Sequence, residues 1–250
     1  MSARSTRGRR GAGRDAAESV PRSRARVARR SIGRSARWLA LGGGIASAAA
    51  YVALRPRLVR WGATDAEVAG PMPGDALVAG ADYALTFAVT IDAPPADVWP
   101  WLAQMGYQRG GLYSYDWLDR LFGFLDRPSA TTVLPEFQVL RAGDRIPIGR
   151  GPSWPVASAE PERALVLEPV AGTVTWAFQL TPTTDGRTRL VTRSRGRFAN
   201  GLRDALTAEV MRPAAFVMTR GMLLGIRRRA EALARRRERA SADAWDEGWT

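Results

Sequence analysis

Val174, Trp176, Phe178 and Leu180 alternate with Thr175, Ala177 and Gln179, and Asp185-Gly186 separates them from a second alternating run at 187–197. Strand side chains point to opposite faces with a period of two, so this pattern is a strand with one apolar face. Asp-Gly between two such runs is a hairpin signal. The same period sets Leu85, Phe87, Val89 and Ile91 against Thr86, Ala88 and Thr90. Shorter strands are predicted at 145–149, 153–159 and 163–170. A sheet of this kind needs an apolar partner on its buried face. The run after Pro213 supplies it, with Ala214, Ala215, Phe216, Val217, Met218, Met222, Leu223, Leu224 and Ile226. A helix is predicted to start at Pro213 and run to about 239, apolar nearly all round in its first half. Its arginine-rich second half is expected to project into solvent.

Two helices are predicted between the first strand and the others. Pro94-Pro95 opens one, since a missing N–H costs least at a helix start. Val98, Trp101, Leu102 and Met105 fall on one stripe, Gly106 suits the stop, and Pro100 should distort the middle. The second covers Asp116 to Phe122. Upstream, Thr64 and Glu67 have capping-box spacing for a short helix.

Composition narrows the chemistry. The chain has no cysteine and no histidine, and its 37 basic residues are all arginine. Thiol nucleophiles, imidazole bases and metal ligands, and lysine Schiff bases are therefore absent. No metal site or cofactor is implied. The remaining vocabulary is Asp, Glu, Tyr, Ser, Thr and Arg, which points away from an enzyme.

The net charge of +13 sits at the ends. Residues 1–37 carry 12 arginines against Asp15 and Glu18, whereas residues 38–202 are neutral, with 15 arginines and 15 acids. A neutral body argues against specific nucleic-acid binding. Residues 1–37 have almost no large apolar side chains and read as a disordered tail that attracts anionic lipid headgroups. Residues 38–54, WLALGGGIASAAAYVAL, carry no charge and are flanked by arginines. As a helix they would span about 25 Å against a ~30 Å hydrocarbon core, and they are expected to be a single transmembrane helix. The heavier upstream charge puts the N-terminus in the cytoplasm and the domain outside the cell membrane. Residues 55–82 form a juxtamembrane lead-in, 83–239 the domain, and 240–250 an acidic tail with Trp245 and Trp249.

The pieces Trp61-Gly62-Ala63-Thr64, the Val98–Gly106 helix, Gly110–Trp117, Gly143-Asp144-Arg145-Ile146 and Arg189–Arg193 resemble the START-like superfamily, also called SRPBCC or polyketide cyclase/dehydrase and lipid transport. The resemblance covers residues 61–235. It implies an α+β helix-grip fold, a curved antiparallel sheet wrapped around a long C-terminal helix. It further implies an internal cavity for a hydrophobic or amphipathic small molecule, lipid-like or polyketide-like, and names no catalytic residue.

The candidate ligand-binding residues are Trp101, Met105, Tyr113, Tyr115, Trp176, Phe178, Met218 and Met222. For any single aromatic here, core packing is the commoner role. Gly110-Gly111 beside Tyr113 and Tyr115 suggests a pocket mouth. One alternative is a cyclase or dehydratase using Asp116 with Tyr113 or Tyr115, although an Asp there more often caps the following helix. Another is a non-catalytic protein-interaction domain. Arg189, Arg193 and Arg195 share one strand face and read as solvated.

Overall fold

The computed structural model describes residues 47, 49–151, 153–168 and 173–247. The chain divides into two units, 1–52 and 53–250. Of the first, the described residues, 47 and 49–52, are helical. The predicted tail, most of the 38–54 run and the final Gly248 to Thr250 lie outside the described residues. Among the described residues no helix is long and apolar enough to cross a membrane.

The second unit begins with helical residues 53–59 (α1) and the short α2, Asp65–Ala69. Strand β1, Tyr83–Ile91, leads to α3, Pro95–Ala103, and α4, Asp116–Leu121. Strands β2 (Arg145–Pro147), β3 (Ser153–Glu160), β4 (Ala164–Leu167), β5 (Val174–Pro182) and β6 (Thr188–Gly196) precede α5, Leu202–Glu247. The six strands form one antiparallel sheet in the order β1-β6-β5-β4-β3-β2. One antiparallel sheet, two helices inserted after its first strand and one long C-terminal helix make this an α+β helix-grip arrangement.

Alternation divides the sheet as the residue pattern requires. Phe87, Val89 and Ile91 of β1, Leu165 and Leu167 of β4, Phe178 and Leu180 of β5 and Leu190 of β6 share the main core with α3 and α5. Each such fully buried side chain contributes about 1.5–3 kcal/mol. Ala88, Val166, Ala177 and Val191 point the other way and bury Met72 of the lead-in.

That second face is closed by arginines, contrary to the solvated face expected of them. Arg193 is 4% exposed. Its guanidinium donates to Thr86 Oγ1 (3.1 Å), the Gly70 carbonyl (3.0 Å), Asp75 Oδ2 (2.6 Å) and the Glu67 and Val68 carbonyls. Arg189 makes a bidentate pair with Glu67 at 2.7 and 2.9 Å, which holds that carboxyl below its ordinary value. The Thr64–Glu67 capping box forms, so α2 presents its carbonyls and Glu67 together to β6. A small-residue lead-in with few large apolar groups is held here by charge-assisted hydrogen bonds.

Helix α5 also departs from expectation at both ends. It starts at Leu202, and Pro213 lies inside it. Arg212 donates twice to Glu209, at 3.0 and 2.6 Å, bracing the turn that the proline weakens. The second half does not simply project into solvent. Ala230 and Ala234 are buried in the main core with α3. Arg237 pairs with the buried Asp97 of α3 at 2.5 Å, and Arg227 with Glu231 at 2.7 Å. The backbone of the predicted acidic tail continues α5 as far as Glu247.

Candidate functional site

The segment between α3 and α4 is a fixed scaffold. Gly106 and Gly111 exchange two backbone hydrogen bonds, at 2.9 and 3.0 Å. Arg109 donates to the Met105 and Ala103 carbonyls at the end of α3 and stacks over Phe137 at 4.4 Å. Gln104, wholly buried, accepts from Leu134 N–H and Gln138 Nε2 and donates to the Thr132 carbonyl. The turn at Gly110-Gly111, expected as a pocket mouth, is therefore braced on both sides.

Tyr113 adopts φ 60°, an uncommon conformation for a side-chain-bearing residue. Trp101 meets its ring edge-on at 5.9 Å and Arg229 lies over it at 4.8 Å. Helix α5 crosses this segment at Gly225, where any Cβ would collide with the Tyr113 carbonyl, and at Gly221, beside the Tyr115 ring. These two glycines bring Ser114 and α4 against the inner side of α5.

The close approach leaves a pocket of about 140 Å³ between α5 and the sheet. Leu112, Phe124, Ile148, Trp176, Met218 and Met222 make most of its wall, with Ala215 and Thr219 from the same helix face. Trp176 donates to Thr192 Oγ1 at 3.0 Å, which fixes the indole. Ser114 and Asp119 supply polar groups among these apolar walls. Asp119 is fully buried. Its Oδ1 accepts from Ser114 Oγ at 2.6 Å, and its Oδ2 has no hydrogen-bond partner among the described residues. Burial pushes the carboxyl above its ordinary value; the Ser114 bond opposes this and the nearby Asp116 charge adds to it.

An antiparallel sheet, two helices after its first strand, and a long helix gripping a pocket against it decide the architecture. The fold is the α+β helix-grip arrangement that the sequence resemblance implies. No protein-family model and no curated protein matches the sequence. Solved structures similar to it include CalU16 from Micromonospora echinospora, 17% identical, covering 60% of this chain and 84% of that one at a TM-score of 0.30. The polyketide-cyclase-like protein Cgl2372 from Corynebacterium glutamicum is 20% identical, with 59% and 91% covered and a TM-score of 0.35. Aha1 from Colwellia psychrerythraea is 14% identical, with 56% and 93% covered and a TM-score of 0.32. Likeness at this level says nothing of ligand or reaction.

Within this helix-grip domain the eight candidate ligand residues separate into two groups. Trp176, Met218 and Met222 line the pocket. Trp101, Met105, Tyr113 and Phe178 are buried in the main core and are not among its lining residues. Tyr115 is 38% exposed, outside the pocket against Gly221. The acid/base group expected of Asp116 with Tyr113 or Tyr115 is not assembled. Asp116 accepts from Ser129 Oγ at 2.7 Å and Ser129 N–H at 3.1 Å, so both its oxygens latch the following loop. The carboxyl that reaches the pocket is Asp119, one helical turn later. The sequence reading missed it, together with Ser114, Leu112, Phe124, Ile148, Ala215 and Thr219.

Proposed function

We propose that this domain binds a small hydrophobic or amphipathic molecule in the pocket beneath α5, with Asp119 as its buried polar contact. One observation carries the reading: a fully buried carboxyl with one unpartnered oxygen stands among the lining residues of a largely apolar pocket. An orphaned buried acceptor costs about 1–3 kcal/mol, and a ligand that pairs with it recovers that cost. The carboxylate oxygen can accept from a ligand hydroxyl. The 140 Å³ volume sets the scale. An apolar cavity of roughly 150 Å³ holds benzene, so one ring or one chain end fits, rather than a whole lipid or polyketide.

The reading includes a tether. The uncharged run 38–54 with its flanking arginines would hold the domain at the cell membrane, N-terminus in the cytoplasm, with the 1–37 tail on anionic headgroups. Fractionating cells that express the full chain or a chain lacking residues 38–54 tests this part; equal membrane recovery of the two removes it.

For the pocket, phenol and toluene are titrated by NMR and by tryptophan fluorescence. Wild-type protein binds both and prefers phenol. Asp119→Leu loses the preference while retaining toluene, and Ala215→Phe, which fills the pocket, loses both. Absence of binding to either compound removes the reading.

A further inference from the structure

We propose that Arg120 and Arg150 form an anion subsite at the rim of this pocket, so that the ligand is an amphipathic anion, a carboxylate or phosphate monoester with one apolar tail or ring. The inference rests on the pocket reading above and names the class of molecule that the pocket takes.

A groove of about 550 Å³ lies beside the pocket, lined by Arg120, Phe122, Phe124, Ile148, Arg150 and Trp154 among others. Phe124 and Ile148 line both spaces, so they form the wall between them. Trp154 on the groove side meets Trp176 on the pocket side edge-on at 6.0 Å. Phe124 stacks on Phe122 at 6.1 Å. The two volumes thus share one aromatic partition, and a slender apolar group that displaces Phe124 passes from one to the other.

Both arginines are anchored at one point of the rim. Gly123 N–H donates to the Arg120 carbonyl at 3.1 Å, and the Gly123 carbonyl accepts from Arg150 N–H at 3.1 Å. Their side chains are exposed, and among the described residues neither guanidinium has a hydrogen-bond or ion-pair partner. Most arginines of the domain body are engaged otherwise: Arg189 and Arg193 with carboxylates, Arg109 and Arg229 with carbonyls and rings. Two unpaired guanidinium groups facing an aromatic groove suit a planar or tetrahedral oxyanion.

The pocket fixes the orientation. Inside it the polar groups are Asp119, Ser114 and Thr219, with no cation among the lining residues. A ligand anion placed there would meet the Asp119 carboxyl in a site of low dielectric, which is unfavourable. The anion therefore stays with Arg120 and Arg150, and the tail enters past Phe124 and Ile148.

Octanoate, octyl phosphate and octanol test this on the intact chain by isothermal titration and tryptophan fluorescence. Wild-type protein is expected to bind the two anions more tightly than octanol. The double variant R120Q/R150Q should weaken both anions by roughly 5- to 10-fold, the range for exposed charge-assisted hydrogen bonds, and leave octanol within about two-fold. Raising the salt to about 1 M should reproduce the loss in wild-type protein. Unchanged octanoate affinity in the double variant overturns the subsite, as does an equal loss for octanol. Octanol binding with no preference for the anions overturns the subsite and leaves the pocket reading standing. Binding of none of the three removes both. Both side chains are exposed and make no hydrogen bond or ion pair among the described residues, and circular dichroism checks that the variant is folded.

Discussion

Gly225→Ala tests most directly how α5 is seated over the site. A Cβ at this position would fall on the Tyr113 carbonyl oxygen and lie 2.9 Å from the carbonyl carbon and from the Tyr113 Cβ. That obstruction is backbone, and it cannot swing aside as a side chain does. Tyr113 is moreover held at φ 60° between Trp101 and Arg229. Either α5 lifts or the 113–115 segment shifts, and both displace Ser114 from Met218 and Met222. Overpacking of this kind costs about 1–3 kcal/mol, and an overlap with fixed backbone belongs at the upper end. Alanine's better helix propensity returns about 1 kcal/mol. The net loss is about 2 kcal/mol, or roughly 4–8 °C in Tm for a domain of this size. Gly221→Ala is the internal comparison. Its nearest obstruction is the Tyr115 ring at 2.7 Å, a partly exposed side chain that can rotate away. There the propensity gain should offset the contact to within about 0.5 kcal/mol. Urea and thermal unfolding of the two variants measure the difference. Equal stability of Gly225→Ala and Gly221→Ala would refute the close-crossing argument.

Arg193→Met should cost about 3 kcal/mol, because it strands Asp75 and the Glu67, Val68 and Gly70 carbonyls against the sheet; limited proteolysis should then cut first within residues 64–79. Cleavage elsewhere with an unchanged urea midpoint would argue against the clamp. Asp119→Asn should flatten the dependence of stability on pH. The folded carboxyl is raised above its unfolded value, so its contribution is full below the unfolded pKa and is lost as pH rises through the folded one. Asp97, which burial raises in the same sense, keeps a residual slope in the variant. Urea unfolding from acid to neutral pH reads the difference, and identical slopes would show that Asp119 is not the titrating group. Ser129→Ala removes one of the two bonds that latch Asp116 and should cost about 1 kcal/mol in the same assay, with wild-type phenol binding retained.

The strands were legible because their pattern is set by burial alone. The 173–181 and 187–197 runs become β5, Val174–Pro182, and β6, Thr188–Gly196, and the three shorter strands lie within a few residues of their expected bounds. Period-two alternation survives wherever one face meets the core. The stripe Val98, Trp101, Leu102 and Met105 is likewise buried throughout. The arginines of β6 were misread because charge on a strand face ordinarily means solvent. What reverses that expectation is distant in sequence: Glu67 and Asp75 lie more than a hundred residues before Arg189 and Arg193. The start of α5 was misplaced for a related reason. Pro213 resembles a helix opening, yet the helix runs through it, with Arg212 paired to Glu209 on the preceding turn.

Asp119 is the instructive omission. On an amphipathic helix the apolar side chains face inward, so in DWLDRL one would bury Trp117 and Leu121 and expose the aspartates. α4 does the reverse: Trp117 is 68% and Leu121 71% exposed, while Asp119 is fully buried. At six residues the helix is too short to be positioned by its own moment. Its orientation is tied to the segment that follows it: Asp116 is latched to Ser129, and Phe124 N–H donates to the Asp119 carbonyl at 2.7 Å. Local physics would turn α4 over, and these contacts prevent it. The cost is an unpaired buried oxygen and exposed tryptophan and leucine side chains. Helices that only fill space do not carry such a cost, because turning them over would relieve it. A helix held in its less favourable orientation by the segment that follows it is what the proposed site needs in order to keep a polar group beside an apolar pocket before any ligand arrives.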